Sequence, residues 1–190
     1  MKPCFRNNLL LSLIFLLHFS VFCQENSFLN FSVAEGLPSP EVYQVIQDKK
    51  GFIWFATDNG VVRFDGGDFE IFNSQHGLSD PVVFGLHEDA VGRIWFRTFT
   101  GKLSSYFNGK VQRYTHNDTI VKLANKALLS DLYYDSLDHL WFTAGDQIAR
   151  IDKQGNHTTK IVSPYSIDYF QLNKEKDLLA YSGPTHRITS

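Results

Sequence analysis

Six of the seven histidines, His76, His87, His116, His139, His157 and His186, lie beyond the N-terminal apolar run and are the side chains best suited to ligate a metal or carry a proton. Their spacing supports neither role. No pair falls at i, i+4 on a helical pattern and no thiolate stands beside them, so no metal site is expected. Asp65-Gly66-Gly67-Asp68 lacks the alternating oxygen ligands of a calcium loop and reads as a hairpin turn. The chain contains no Gly-x-Ser-x-Gly elbow, phosphate-cradling loop or dinucleotide fingerprint, so neither a catalytic residue nor a cofactor is expected. A polysaccharide lyase or hydrolase would need converging carboxylates, whereas Asp48, Asp58 and Asp89 fall in turns. What remains is stacking. Tyr43, Phe84 and Tyr133 fall at similar places in the first strands of the three repeats, near turns that can carry a binding face, where rings could stack on sugars. Filling the core between sheets is their other role and the preferred one, because cross-strand aromatic packing is so common.

These candidates need a scaffold, and composition narrows it. The chain has 190 residues, with 43% hydrophobic and 15% aromatic, enough for a packed core. A formal charge of −2 excludes nucleic-acid binding through a basic surface. Lys2 and Arg6 precede an apolar run from Leu9 to Phe22, and Gln24-Glu25-Asn26 follows it. The run is short against the roughly 20 residues of a bilayer span. It predicts a signal peptide over residues 1–23 and an exported, periplasmic chain, with a lipid-anchored Cys23 as the rival. Cleavage would remove Lys2, Arg6 and both cysteines (Cys4 and Cys23), taking the charge from −2 to −4 and leaving no disulfide.

All three tryptophans share one context: Phe52-Ile53-Trp54-Phe55, Arg93-Ile94-Trp95-Phe96 and His139-Leu140-Trp141-Phe142. Trp54 and Trp95 are 41 residues apart, and Trp95 and Trp141 are 46 apart. Gly36-Leu37-Pro38-Ser39 recurs as Gly77-Leu78-Ser79-Asp80, and Gly51 ahead of Trp54 recurs as Gly92 ahead of Trp95. A period of roughly 40–45 residues made of strands is that of a β-propeller blade.

Within the first repeat, strands are predicted at 42–47, 52–57, 61–64 and 69–72. Asp58-Asn59-Gly60 and Asp65-Gly66-Gly67-Asp68 act as turns in which glycine supplies positive φ. The fold class is therefore all-β, with four-stranded antiparallel meanders over about 36–76, 77–114 and 128–163 and a partial blade over 164–190. Residues 24–190 make about three and a half blades, an incomplete propeller, since closed rings need roughly four to eight. Phe28–Val33 is expected to be a lone outer strand, and Thr115–Ala127 is an insertion. The third repeat lacks its glycine before Trp141, which leaves its regularity open.

The run Gly-Phe-Ile-Trp-Phe-Ala-Thr-Asp-Asn-Gly-Val-Val-Arg-Phe-Asp-Gly from Gly51, with the Gly-Leu-Pro-Ser before it, resembles the two-component regulator propeller repeat. The likeness is close over 36–72, good over 77–114 and weaker over 128–162. It implies the extracytoplasmic input region of a bacterial sensor histidine kinase, non-catalytic in this segment. Further blades and a membrane-anchored kinase would follow in the full-length parent, and the ligand would be an unidentified small molecule or glycan. The readings that compete with it are an exported propeller enzyme acting on polysaccharide and a structural or adhesive propeller fragment.

Overall fold

Phe52–Thr57 sets large apolar side chains on alternating faces, which forces a sheet covered on both sides. A computed structural model describes residues 30–135, 137–161, 169–172, 178–182 and 186–189, and shows how the cover is made. Strands β1 (Val42–Gln47), β2 (Ile53–Thr57), β3 (Gly60–Phe64) and β4 (Phe69–Phe72) form one antiparallel meander. Strands β5 (Val83–Glu88), β6 (Ile94–Thr98), β7 (Leu103–Phe107) and β8 (Lys110–Arg113) form the second. The third is β9 (Leu129–Tyr134), β10 (Leu140–Ala144), β11 (Gln147–Ile151) and β12 (His157–Ile161), a complete blade despite its missing glycine. A last sheet holds β13 (Tyr169–Leu172), β14 (Leu178–Ser182) and β15 (His186–Thr189), one strand more than the half blade expected there. Among the described residues no helix is long and apolar enough to cross a membrane.

The core lies between neighbouring sheets. Trp54 points to the second sheet, clustering with Leu78, Val83 and Phe96, while its neighbour Phe55 packs on the opposite face with Leu37, Val62 and Phe64. Trp95 likewise joins Leu132, Leu140 and Phe142 of the third sheet. Trp54 and Trp95 are fully buried, but Trp141 is only half-buried.

One aspartate closes each blade. Asp48 accepts the amides of Lys50 and Phe52 on Oδ1 and the Trp54 indole N–H on Oδ2 at 2.8 Å. Asp89 does the same for Val91, Arg93 and Trp95, and Asp135 for Leu137, His139 and Trp141. The turn needs positive φ at its fourth residue, which Gly51 and Gly92 supply at 91° and 80°. Asp138 takes over at 62°, so the missing glycine alters the sequence and not the turn. Burial would raise the Asp135 carboxyl, but hydrogen bonds from the His139 amide, the Trp141 indole and the His139 ring hold it below its ordinary value. A depressed carboxylate stabilises fully above its unfolded value and loses that contribution as pH falls through the folded one. Trp141 fluorescence in an acid titration should therefore stay native until below about pH 5. A transition near neutrality would refute the clasp.

Residues 30–32 are not a strand. Ser32 caps a 3-10 turn at Val33–Glu35, its hydroxyl accepting from the Ala34 amide at 3.1 Å, and Asn73 repeats this before Ser74–His76. Gly36 and Gly77 end these turns at φ 121° and 109° and drop Leu37 and Leu78 into the core, which is why the Gly-Leu pair recurs. Phe31, just ahead, sets its ring edge-on against Phe55, Phe64 and Phe69. The insertion carries helix α1 (Asn117–Ala124), whose Ile120 is fully buried in the same cluster as Trp95. Its Asn117 side chain donates to the Leu103 carbonyl and accepts from the Leu103 amide.

Candidate functional site

The first strand of each of the three four-stranded sheets contains a β-bulge, and in the first two the bulge carries an aromatic ring. Val42 pairs with Thr57 and Gln44 with Ala56, so Tyr43 is the extra residue. Val83 pairs with Thr98 and Gly85 with Arg97, which makes Phe84 its counterpart. A bulge frees a residue from the ladder and re-aims its side chain. Here the two rings meet edge to face across the sheets at 4.7 Å, and Phe99 joins Phe84 at 5.7 Å. Phe99 lies in the β6–β7 turn, brought alongside by its amide donating to the Val82 carbonyl. Tyr43 is 44% exposed and Phe99 56%, with Phe84 half-buried between them, so Tyr43 lies on a surface platform rather than in the core where the sequence reading preferred it.

Tyr133 does not belong to that platform. It is exposed, but it pairs regularly with Trp141 and is thus the counterpart of Ile46 opposite Trp54 and His87 opposite Trp95. The third bulge contains Ser130 and Asp131 against Thr143, whose hydroxyl accepts the Asp131 amide at 3.0 Å. Counting from tryptophan would have found this: Tyr43, Phe84 and Ser130 each stand eleven residues ahead of their own.

Arg97 ties the second and third bulges together. Its guanidinium lies where a side chain on Gly85 would sit and donates to the carbonyls of Leu129, at 2.6 Å, and Ser130. Burial lowers the Arg97 proton affinity and the Asp131 carboxylate opposes that. Burial also lowers His87, against Asp131 and Asp89, which favours a neutral imidazole. Between the first two sheets the analogous tie is the Gln44 side-chain oxygen, which accepts the Leu86 amide at 2.7 Å.

The remaining sequence candidates are structural here. Gly51 and Gly92 sit in the aspartate turns, and Gly60 begins β3 at φ 109° with its amide donating to the Pro81 carbonyl of the second blade. Only Gly60 of the Asp58-Asn59-Gly60 turn is at positive φ, so the turn is not of the primed type, whereas Asn108 and Gly109 are both positive. His76, His87, His116, His139 and His157 lie apart, and no group of three or more metal-ligating side chains occurs among the described residues. His186 lies in β15. The platform thus offers aromatic faces and no nucleophile–base arrangement.

Four-stranded sheets of this size, the three complete ones closed by the same turn and packed face to face, define β-propeller blades. Residues 36–59, the first blade's opening half, match the two component regulator propeller family. No curated protein matches the sequence significantly. Among solved structures, the extracellular domain assigned to a hybrid two component system from B. thetaiotaomicron is 21% identical with a TM-score of 0.59, over 83% of this chain and 22% of that one. Streptogramin B lyase is 19% identical with a TM-score of 0.58, over 76% and 49%. PorZ, a surface component of the type-IX secretion system of Porphyromonas gingivalis, is 18% identical with a TM-score of 0.54, over 85% and 26%. The chain spans between about a fifth and a half of the length of these structures, and at such identities the likeness shows the fold alone.

Proposed function

We propose that residues 24–190 form part of the extracytoplasmic ligand-sensing propeller of a two-component sensor, behind a signal peptide at 1–23. The full-length parent carries further blades and a membrane-anchored histidine kinase, and this segment performs no catalysis. The observation that carries the reading is the regulator propeller repeat at residues 36–59. The exposed platform supports it: Tyr43, Phe84 and Phe99 present ring faces and edges suited to a small molecule or a sugar ring. A ligand seated there touches two blades at once, and its effect passes to the third through the Arg97 tie. Against an exported lyase or hydrolase, Asp48, Asp89 and Asp135 are already committed to tryptophan and backbone donors.

The test is made in cells carrying the intact gene. Replacing Tyr43 and Phe84 together by alanine should lower inducer-dependent transcription of the controlled genes at least ten-fold while leaving the protein's abundance unchanged. Unaltered induction would remove the platform from ligand binding. A reading frame that continues past Ser190 without a membrane helix and kinase would sink the sensor assignment.

A further inference from the structure

A second concave site lies away from the platform, between the outer part of the second sheet and the third. It is a cleft of about 190 Å3, bordered by Arg93, Arg113, Tyr114, Tyr134, Asp138 and Lys153. That is smaller than the roughly 300–1,000 Å3 of a pocket for a drug-sized ligand, and suits one compact charged group.

Its charges do not cancel. Arg93 is held by Asp89 at 3.6 Å and lies over the rings of Trp95 and Tyr134 at 5.2 and 4.9 Å. Lys153 reaches Asp138 at 3.5 Å, and the Tyr134 hydroxyl donates to the same carboxylate at 3.3 Å. Arg113 is the cation left over. It is exposed at the end of β8, and among the described residues no side chain pairs with it. A second cleft of about 260 Å3 shares Arg113, Tyr114 and Thr115 as its wall and adds one cation, Lys102, and one carboxylate, Asp118. The walls are firm as well as charged. Tyr114 stacks edge-on against Trp95 at 5.6 Å, and the His116 ring leans on Tyr114 while its Nε2 meets the Lys153 carbonyl at 3.2 Å. Burial and the neighbouring Tyr134 and Asp152 push the Tyr114 hydroxyl far above its ordinary value, so it stays a neutral hydrogen-bond donor.

We propose that this cleft binds an oxyanion, a sulfate, phosphate or carboxylate group borne on a ligand, with Arg113 as its principal partner and Lys153 and the Tyr114 hydroxyl beside it. A planar guanidinium offers a carboxylate or a tetrahedral oxyanion two parallel N–H donors, the strongest form of charge-assisted hydrogen bond. Because residues of both blades border the cleft, an anion held there bridges the second and third sheets.

The probe is inorganic sulfate, added to the full chain at constant ionic strength against chloride, with the thermal midpoint as readout. A ligand that binds the native state raises the midpoint as the logarithm of one plus its concentration over the dissociation constant, a rise that flattens without reaching a ceiling. The wild type should follow that curve, and Arg113→Gln should weaken the apparent dissociation constant at least ten-fold. Lys153→Gln should weaken it less, and Lys110→Gln, an exposed cation outside the cleft, should leave it unchanged. The midpoint without sulfate reports whether each variant is folded. Equal sulfate responses in the wild type and both Arg113→Gln and Lys153→Gln, or a rise simply proportional to sulfate concentration, would overturn the proposal. Tyr43→Ala with Phe84→Ala should keep full sulfate binding, so failure of the sensing platform and failure of this cleft are told apart.

Discussion

Trp95→Ala should lower the stability of the full chain by about 3–5 kcal/mol, read from the midpoint and slope of urea unfolding. Trp95 is 1% exposed, lies nearly parallel to Tyr134 at 5.1 Å and meets Tyr114 edge-on at 5.6 Å. Removing it empties the core between the second and third sheets and strips Asp89 of its indole donor at 3.0 Å. Asp89 is itself 3% exposed, and its Oδ2 would keep only the Arg93 guanidinium at 3.6 Å. Trp95→Phe separates the two losses: it keeps most of the volume and should cost about 1–3 kcal/mol from the lost indole hydrogen bond. A loss below about 1 kcal/mol for Trp95→Ala would mean that the indole is not the inter-sheet plug described above.

Gly60→Val is the second large effect, expected at about 3 kcal/mol or more. Gly60 sits at φ 109°, a conformation that a β-branched residue resists, and a Cβ there would overlap the backbone carbonyl oxygen of Phe72. Its amide also donates to the Pro81 carbonyl at 2.7 Å, so displacing the turn disturbs the joint with the second blade. Gly101→Ala is the matched control. It has φ 75° but nothing within 4 Å of an added Cβ, so only the backbone cost of about 1–2 kcal/mol applies. If thermal unfolding places the two variants within about 1 kcal/mol of each other, the Phe72 overlap has no weight.

Much of this architecture is written in short-range chemistry that a sequence displays. Turn residues at 58–60 and 108–109 bracket the strands, and two-sided apolar runs around each tryptophan demand sheets packed on both faces. What escaped notice involves partners distant in sequence or phases not counted. The Asp48, Asp89 and Asp135 turns look like ordinary loops until the indole six residues on is seen to complete them. Phe31 sits in a β-rich run, yet the Ser32 cap and Gly36 end that run in a 3-10 turn. Approximate place in the first strand of each repeat groups Tyr133 with Tyr43 and Phe84, whereas the ladder register assigns their position to Ser130. The cleft around Arg113 draws on residues from two blades and has no local signature at all.

The bulges separate two kinds of constraint that usually compete for the same positions. A residue opposite Trp54 or Trp95 must satisfy pairing, twist and neighbour shape together. The occupant of a bulge is released from the ladder, and the three slots hold tyrosine, phenylalanine and serine. The side chain in that slot can therefore change from blade to blade while the paired strands around it stay the same.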